Sequence, residues 1–412
     1  MKGFLKWGTI IVGCLVVVII AALVLIPMFV DVAKYKPILE SKVTAATGRP
    51  FSVGDDLSLS LFPWAGVSFS DLRLGNPAGF TEKNFVTVKS FEVRVKLLPL
   101  LSKDVQIKRF VLNEPQIVLV KNKKGLENWV QPKPAGKDAA EEKAPSTESV
   151  PGGLGIPISA LTAENIAINN GSALWIDHTT DTRKEITDIG LILKDVSLNR
   201  PVKLTFSAQL DQKPLSLEGT VGPVGTGLKE GKIALDLSIK ALKQLVLRLK
   251  GNLENLITNP GVDMDIEVAE FSPRMLMSEL GQEFPVATTD PEAISRLALK
   301  AHIKADAKKV SLTNGNMELD QSKLKLSAAA TEYSRPNLKF DLDLDQIDLD
   351  RYMPPKSEEP AQAKTSASAE PAKKKTDYAP LRRLILDGSI KIAKLTVTKA
   401  KIEDAVLQIK AK

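Results

Sequence analysis

The sequence is poor in the residues that usually carry chemistry. One cysteine and two histidines occur in 412 residues. A single cysteine excludes an intramolecular disulfide, and Cys14 sits inside an uncharged run, away from any base. His178 lies in WIDHTTD beside Asp177 and Asp181, and His302 lies between Lys300 and Lys304. Neither has a second histidine or a cysteine nearby, so the three or four converging ligands of a divalent metal site are missing. His178 reads as part of a polar turn and His302 as a solvated side chain. No G-x-S-x-G, Walker A or G-x-G-x-x-G pattern is present. The glycines of VGPVGTG (Val221 to Gly227) lack the lysine and following helix of a phosphate loop, and read as a hairpin connection. The chain is therefore expected not to be an enzyme, with no catalytic, cofactor or metal residues. Aromatics make up only 5%, and the net charge of +7 is spread along the chain. No basic stripe interleaved with stacking rings emerges, which argues against nucleic acid as a partner.

Charge itself is absent from Trp7 to Val30. About 24 residues of helix would reach roughly 36 Å, enough to cross a bilayer core. Lys2 and Lys6 precede the run, so the positive-inside rule puts the N-terminus in the cytoplasm and the rest across the membrane. A cleaved signal peptide would have a shorter apolar core and a small-residue site after it. IVGC (Ile11 to Cys14) resembles a lipobox, but most of the hydrophobic run follows Cys14. The expectation is a cytoplasmic tip at 1–6 and a single transmembrane anchor at 7–30, with the bulk of the chain on the far side of the membrane.

What the remainder has is period-two alternation. Val202, Leu204, Phe206, Ala208 and Leu210 alternate with polar residues, and so do Ile233, Leu235, Leu237 and Ile239. Leu245, Leu247 and Leu249 continue the pattern, as do Leu297, Leu299, Ala301 and Ile303, and Leu338, Phe340, Leu342 and Leu344. Each reads as a strand with one dry and one wet face, the pattern of antiparallel sheets. The Asp row at 341, 343, 345, 348 and 350 belongs to a wet face. Short helices are expected over 31–47 with Gly48 as cap, over Ser272–Gly281, and over Asp290–Leu297. Residues 131–156 and 354–378 are linker-like, rich in Pro, Ala, Lys and Glu. They separate β regions at 31–130, 157–353 and 379–412. FSDLRLGNP, IKRFVLNEP, AENIAINNG and LKDVSLNRP form a weak repeat that reads as a strand-end device, with Gly75 suited to a bulge.

LNEPQIVLVKNKKGLENW (Leu112 to Trp129) holds nothing reactive, and it reads as a hairpin or strand end whose job is shape. Together with YKPILESKVTAATGRPFSV, LFPWAGVSFSDLRLGNPAGF, LSLEGTVG, FSPRMLMSELG and LDLDQIDLDRYMPP, in that order along most of the chain, it resembles the bacterial AsmA family of inner-membrane-anchored envelope proteins. The resemblance implies an elongated, twisted β-sheet groove in the periplasm, a role in outer-membrane assembly, and lipid movement between membranes in larger relatives. The family usually continues past a segment like YAPLRRLILDGSIKIAKLTVTKAKIEDAVLQIKAK. A chain that stops at Lys412 reads as truncated or as a short member.

Two readings of the dry face stay open. It is the core of a sandwich, and the protein a scaffold or protein-binding module; or it lines an open trough for lipid acyl chains, each CH₂ worth about 0.8 kcal/mol. The lining would include Leu204, Phe206, Leu235, Leu237, Leu247, Leu299 and Leu342. Roughly sixteen strands at about 4.8 Å spacing would extend on the order of 75 Å.

Overall fold

Alternation of apolar and polar residues becomes eighteen strands among the described residues of the computed structural model, which are 32–102, 104–130, 162–333, 336–355 and 385–411. The expected anchor at 7–30 and most of both linker segments lie outside them. Among the described residues no helix is long and apolar enough to cross a membrane. The chain divides into two units, Met1–Thr226 and Gly227–Lys412.

In the first unit a 3-10 turn (Val32–Tyr35) leads into helix α1, Lys36–Thr47. Pro37 sits in its first turn, where no N–H is needed. Gly48 closes the helix at φ 67°, its N–H donating to Thr44 O at 2.8 Å. Strands follow at β1 (Phe51–Ser52), β2 (Ser58–Ser60), β3 (Trp64–Gly75), β4 (Asn84–Lys96), β5 (Gln106–Lys121), β6 (Thr162–Asp177), β7 (Thr182–Val196), β8 (Val202–Leu210) and β9 (Lys213–Val221). A short helix α2, Leu97–Leu101, joins β4 to β5. From β3 to β9 each strand pairs with the next, and β1 and β2 both pair with β3.

After helix α3 (Val224–Glu230), the second unit holds β10 (Lys232–Ala241), β11 (Leu245–Glu254), β12 (Gly261–Phe271), β13 (Leu297–Ala305), β14 (Lys309–Leu319), β15 (Ser322–Thr331), β16 (Asn337–Asp348), β17 (Ile385–Val397) and β18 (Ala400–Ala411). Each again pairs with the next.

The sheet is mixed, not purely antiparallel. β5 and β6 pair in parallel, with Phe110 opposite Ile166, and β16 and β17 pair in parallel, with Leu342 opposite Ile390. Parallel neighbours need a crossover of a dozen or more residues. Residues 122–161 and 349–384 are those crossovers, so the two low-complexity stretches carry a length requirement that composition does not reveal. Deleting 356–376 would leave about eight residues, with a reach of about 30 Å, to return along a strand of about 40 Å. That deletion is expected to detach β17 and β18, seen as lost amide protection at Ile390 and Ile392. Deleting 360–371 leaves enough chain and is expected to keep them protected.

Three local expectations change as well. Asp290–Leu297 is a turn instead of a helix. Asp290 Oδ1 accepts from Glu292 N at 2.9 Å, as a cap would, but Ile294 takes φ 60° and breaks the helical path. VGPVGTG runs into α3 and is not a plain hairpin connection. The weak repeat is a mid-strand device in β5 and β6, where Glu114 (φ 47°) and Asn170 (φ 52°) sit inside continuous strands. Asp71 (φ 48°) in β3 and Asp188 (φ 51°) in β7 extend the same crease across the sheet. Side chains knit it: Asn169 Nδ2 donates to Asn113 Oδ1 at 2.7 Å, and Asn113 Nδ2 to Ser90 Oγ at 2.8 Å. The Gly75 irregularity is present as a register shift after Leu74. The helix expected at Ser272–Gly281 forms as α4 (Pro273–Glu279), with Ser272 Oγ accepting from Met275 N and Gly281 at φ 71° beyond its end.

The LENW segment folds back on β5. Beyond the reach of β4, Val120 N donates to Asn128 Oδ1 at 2.8 Å, while Asn128 Nδ2 donates to Val118 O at 2.7 Å. One side-chain amide thus stands where a neighbouring strand's peptide would stand. Asn128 Nδ2 also donates to Asn76 Oδ1 at 2.8 Å, and the Asn128 carbonyl accepts from Arg49 Nη2 at 2.8 Å. Trp129 packs on Trp175, their ring centres 5.1 Å apart.

Candidate functional site

Register partners share a face, so the pairing assigns the dry side directly. In the second unit Leu247 on β11 lies in a row with Val268, Leu299, Met317, Leu324, Leu344 and Ile392. Leu237 is in register with Leu249 and through it with Ile266 and Ala301. Leu235 opens a row through Gly251, Met264, Ile303 and Leu312 to Ala328 and Phe340. Leu342 stands between Leu326 and Ile390. Gly388 faces Phe340, and a Cβ there would come within 2.7 Å of the ring, so this row has room only for glycine. In the first unit Leu204 is in register with Leu193 and, through it, Ile166, Phe110, Val93 and Val67. Phe206 heads the next row, which reaches Phe91 and Phe69, rings stacked at 4.8 Å.

All seven residues singled out in the sequence fall on these apolar faces, two in the first unit and five in the second. All seven are half-buried. Among the described residues the fully buried apolar side chains are few and mostly Val or Ala, with Ile233 and Met264 the larger ones in the second unit. A sandwich would hide its inner rows completely. Rows of leucine left half-exposed present apolar surface that water or a ligand must cover.

The opposite face of the second unit is ionic. Glu267 pairs with Arg248 at 3.1 Å and with Lys300 at 3.2 Å, and Asp263 with Lys304 at 2.7 Å. The hydrogen bond from Lys304 holds the Asp263 carboxyl below its ordinary range. His302 bridges Asp265 (2.9 Å) and Asp263 (3.2 Å), so it is tied into the ladder and not simply solvated. His178 meets Glu82 at 3.1 Å in its turn. Among the described residues no group of three His, Cys, Asp or Glu side chains is placed to hold a metal. Such exposed pairs add little to stability, because solvent screens them. Their larger effect is to define which face stays wet. The Asp row at 341, 343, 345 and 348 is exposed along β16, as its alternation implies.

A polar anchor ties the 272–296 connection to the end of β16, and sequence reading missed it. Asp320, in the β14–β15 turn, accepts from the N–H groups of Ile294 (2.9 Å), Ser295 (3.0 Å) and Arg296 (3.2 Å), and from the Tyr352 hydroxyl at 2.8 Å. Arg351 Nε donates to Asp290 Oδ2 at 2.7 Å. Beside them lies a cleft of ≈ 410 Å³ lined by Ser322, Gln346, Arg351, Tyr352, Lys394 and Glu403 among others. Burial pushes the Asp320 carboxyl up, but its four donors outweigh burial and hold it below 3.8, its ordinary value. Burial, then the bond to Asp320, pushes the Tyr352 hydroxyl up to about 12. A depressed carboxyl stabilises the fold above its ordinary value and loses that contribution as pH falls through the lower, folded value. A raised phenol stabilises below its ordinary value of 10.0 and loses that contribution as pH rises towards about 12. Asp320→Ala is expected to cost about 2–3 kcal/mol near neutral pH and less in acid, read from urea midpoints across pH.

The geometry can be set beside known proteins. A family model described as the AsmA family matches residues 1–227. A curated relative, AsmA family protein YhjG of Escherichia coli (strain K12), is 30% identical over 129 residues, 28% of this chain. The chain covers 19% of that relative's length. The family is generally envelope-associated. With more than half of its length matched by the family model, the chain belongs to the AsmA family.

Proposed function

We propose that the protein is a non-enzymatic carrier of lipid acyl chains, anchored in the inner membrane by residues 7–30 with the remainder periplasmic, and that it serves outer-membrane assembly. The observation that carries this reading is the continuous apolar face of each unit. In the second unit the face is built mainly from aliphatic side chains, half-exposed, and backed by an ionic face; in the first it adds the rings of Phe69, Phe91, Phe110 and Phe206. An acyl chain has no hydrogen-bonding groups and needs no directional partner. It gains about 0.8 kcal/mol for each CH₂ withdrawn from water, so a row of leucines is a sufficient site. A scaffold that binds protein would be expected to place tryptophan, tyrosine and arginine anchors on such a face, and the second-unit rows named above hold none of these.

The direct test is mass spectrometry of lipids that co-purify with the full chain in mild detergent. Phospholipid retained through gel filtration, and lost when lining residues are replaced by charged ones, supports the carrier. A chain that folds and carries no lipid in excess of an unrelated single-span control would leave the scaffold as the better reading.

A further inference from the structure

We propose that the end of the first unit nearest the start of α1 is a second membrane contact, an apolar tip seated in the headgroup layer of an anionic bilayer. The proposal goes beyond acyl-chain carriage and does not depend on it; it rests on the anchor at 7–30 proposed above.

The direction of α1 locates this end. Lys36 pairs with Asp55 at 2.5 Å, Glu40 Oε1 accepts from Val53 N at 3.0 Å, and Thr44 Oγ1 accepts from Phe51 N at 3.3 Å. Phe51 and Ser52 pair antiparallel with Leu74 and Arg73, and Gly54 N donates to Ser70 O at 2.8 Å. The helix therefore runs in the same direction as β3, and its N-terminus points towards the Trp64 end. Trp64 is in register with Lys96, so the turn before β3 and α2 lie at that end too. The uncharged stretch 7–30 precedes the first described residue, Val32, and so connects to the chain here.

This end exposes large apolar side chains that no described residue of the unit covers. Tyr35 (58% exposed) and Ile38 (52%) lie level with the middle of β3, and at the Trp64 end itself Leu98 is 80% exposed, Leu100 39% and Phe62 38%. Just behind them is a cleft of ≈ 450 Å³ with Arg94, Lys108, Arg109 and Lys194 in its lining, against Glu164 and Asp195. Lys96 and Lys108 share the single carboxylate of Glu164, Arg94 and Arg109 share that of Glu92, and the Lys108 ammonium lies 5.1 Å from the centre of the Trp64 ring, so five cations with Lys194 face the three carboxylates of Glu92, Glu164 and Asp195. Leu98, Leu100 and Phe62 at the tip, Trp64 at its border and surplus cations behind match the depth profile of a bilayer surface: acyl boundary, interface, phosphate. Long basic side chains can lean towards phosphates while the leucines enter.

The test uses the full chain with Cys14→Ser and one new cysteine, Leu98→Cys at the tip or Leu126→Cys at the far end of β5. Each is labelled with an environment-sensitive fluorophore. Both positions are exposed, so neither label needs the fold to open. The protein is reconstituted in phosphatidylethanolamine–phosphatidylglycerol vesicles, with or without brominated acyl chains. A seated tip lies about 5–10 Å into the boundary layer. Emission at 98 is then expected to shift to the blue and to be quenched by bromine, with neither effect at 126. Adding Arg94→Ser with Arg109→Ser is expected to weaken the quenching in these vesicles and to have no effect in phosphatidylcholine alone. No quenching at 98 would overturn the proposal, whether or not lipid co-purifies. Equal quenching at 98 and 126 would overturn it too, since the end would then not be oriented. Blue-shifted emission at 98 without quenching would mean that a protein covers the tip.

Discussion

Leu237→Glu and Leu299→Arg are each expected to abolish capture of a photo-crosslinkable phospholipid while leaving the second unit folded. Both side chains are half-buried on the apolar face, Leu237 in register with Leu249, and Leu299 with Val268 and Met317. On an open face a charged head can turn to water, so the cost to folding is limited to lost leucine packing, about 1–2 kcal/mol. An acyl chain laid along the same row would meet an unpaired ion, which is costly wherever water is excluded. In a closed sandwich the outcome reverses. The charge would be trapped between sheets, and the change would cost several kcal/mol and unfold the unit. Thermal melts and crosslinking on the same two variants separate the cases. If both variants unfold and the parent captures no lipid, the acyl-chain reading fails.

Much of this face was legible in the sequence because a strand's period of two is a strong signal. Leu235, Leu237, Leu247, Leu299 and Leu342 came from alternation alone, and register then joined them into common rows. The parallel pairs were hidden because a crossover leaves no local pattern. β5 and β16 look like their antiparallel neighbours, and only the long stretches after them mark the change. The crease was half visible. Asn and Asp recur where φ turns positive, but whether a strand stops or continues there depends on the partner strand, as Glu114 inside β5 illustrates. Asp320 was not visible at all. Its four donors come from residues about thirty positions away on either side, and a turn aspartate is ordinarily solvated.

Asn128→Ala is expected to be the most damaging single change in the LENW segment, costing about 3–5 kcal/mol. Asn128 is 0% exposed, and its side chain satisfies Val120 N, Val118 O and Asn76 Oδ1 together. Truncation leaves the buried Val120 N and the part-buried Val118 O and Asn76 Oδ1 without this partner, each worth about 1–3 kcal/mol where water cannot replace it. It also loosens the turn whose carbonyl holds Arg49, itself 5% exposed and stacked over Phe85 at 4.6 Å. Asn128→Asp tests the geometry more sharply. Its carboxylate can still accept from Val120 N but can donate to neither Val118 O nor Asn76 Oδ1, so it should rescue little of the loss. Leu126→Ala, on an exposed side chain in the same turn, is expected to stay within about 0.5 kcal/mol of the parent. Urea unfolding of the three variants, followed by Trp129 and Trp175 emission, reads the differences. A mild effect for Asn128→Ala would mean that water or backbone shifts replace the amide. The segment would then owe its form to Trp129 packing on Trp175, not to a side chain acting as a missing strand.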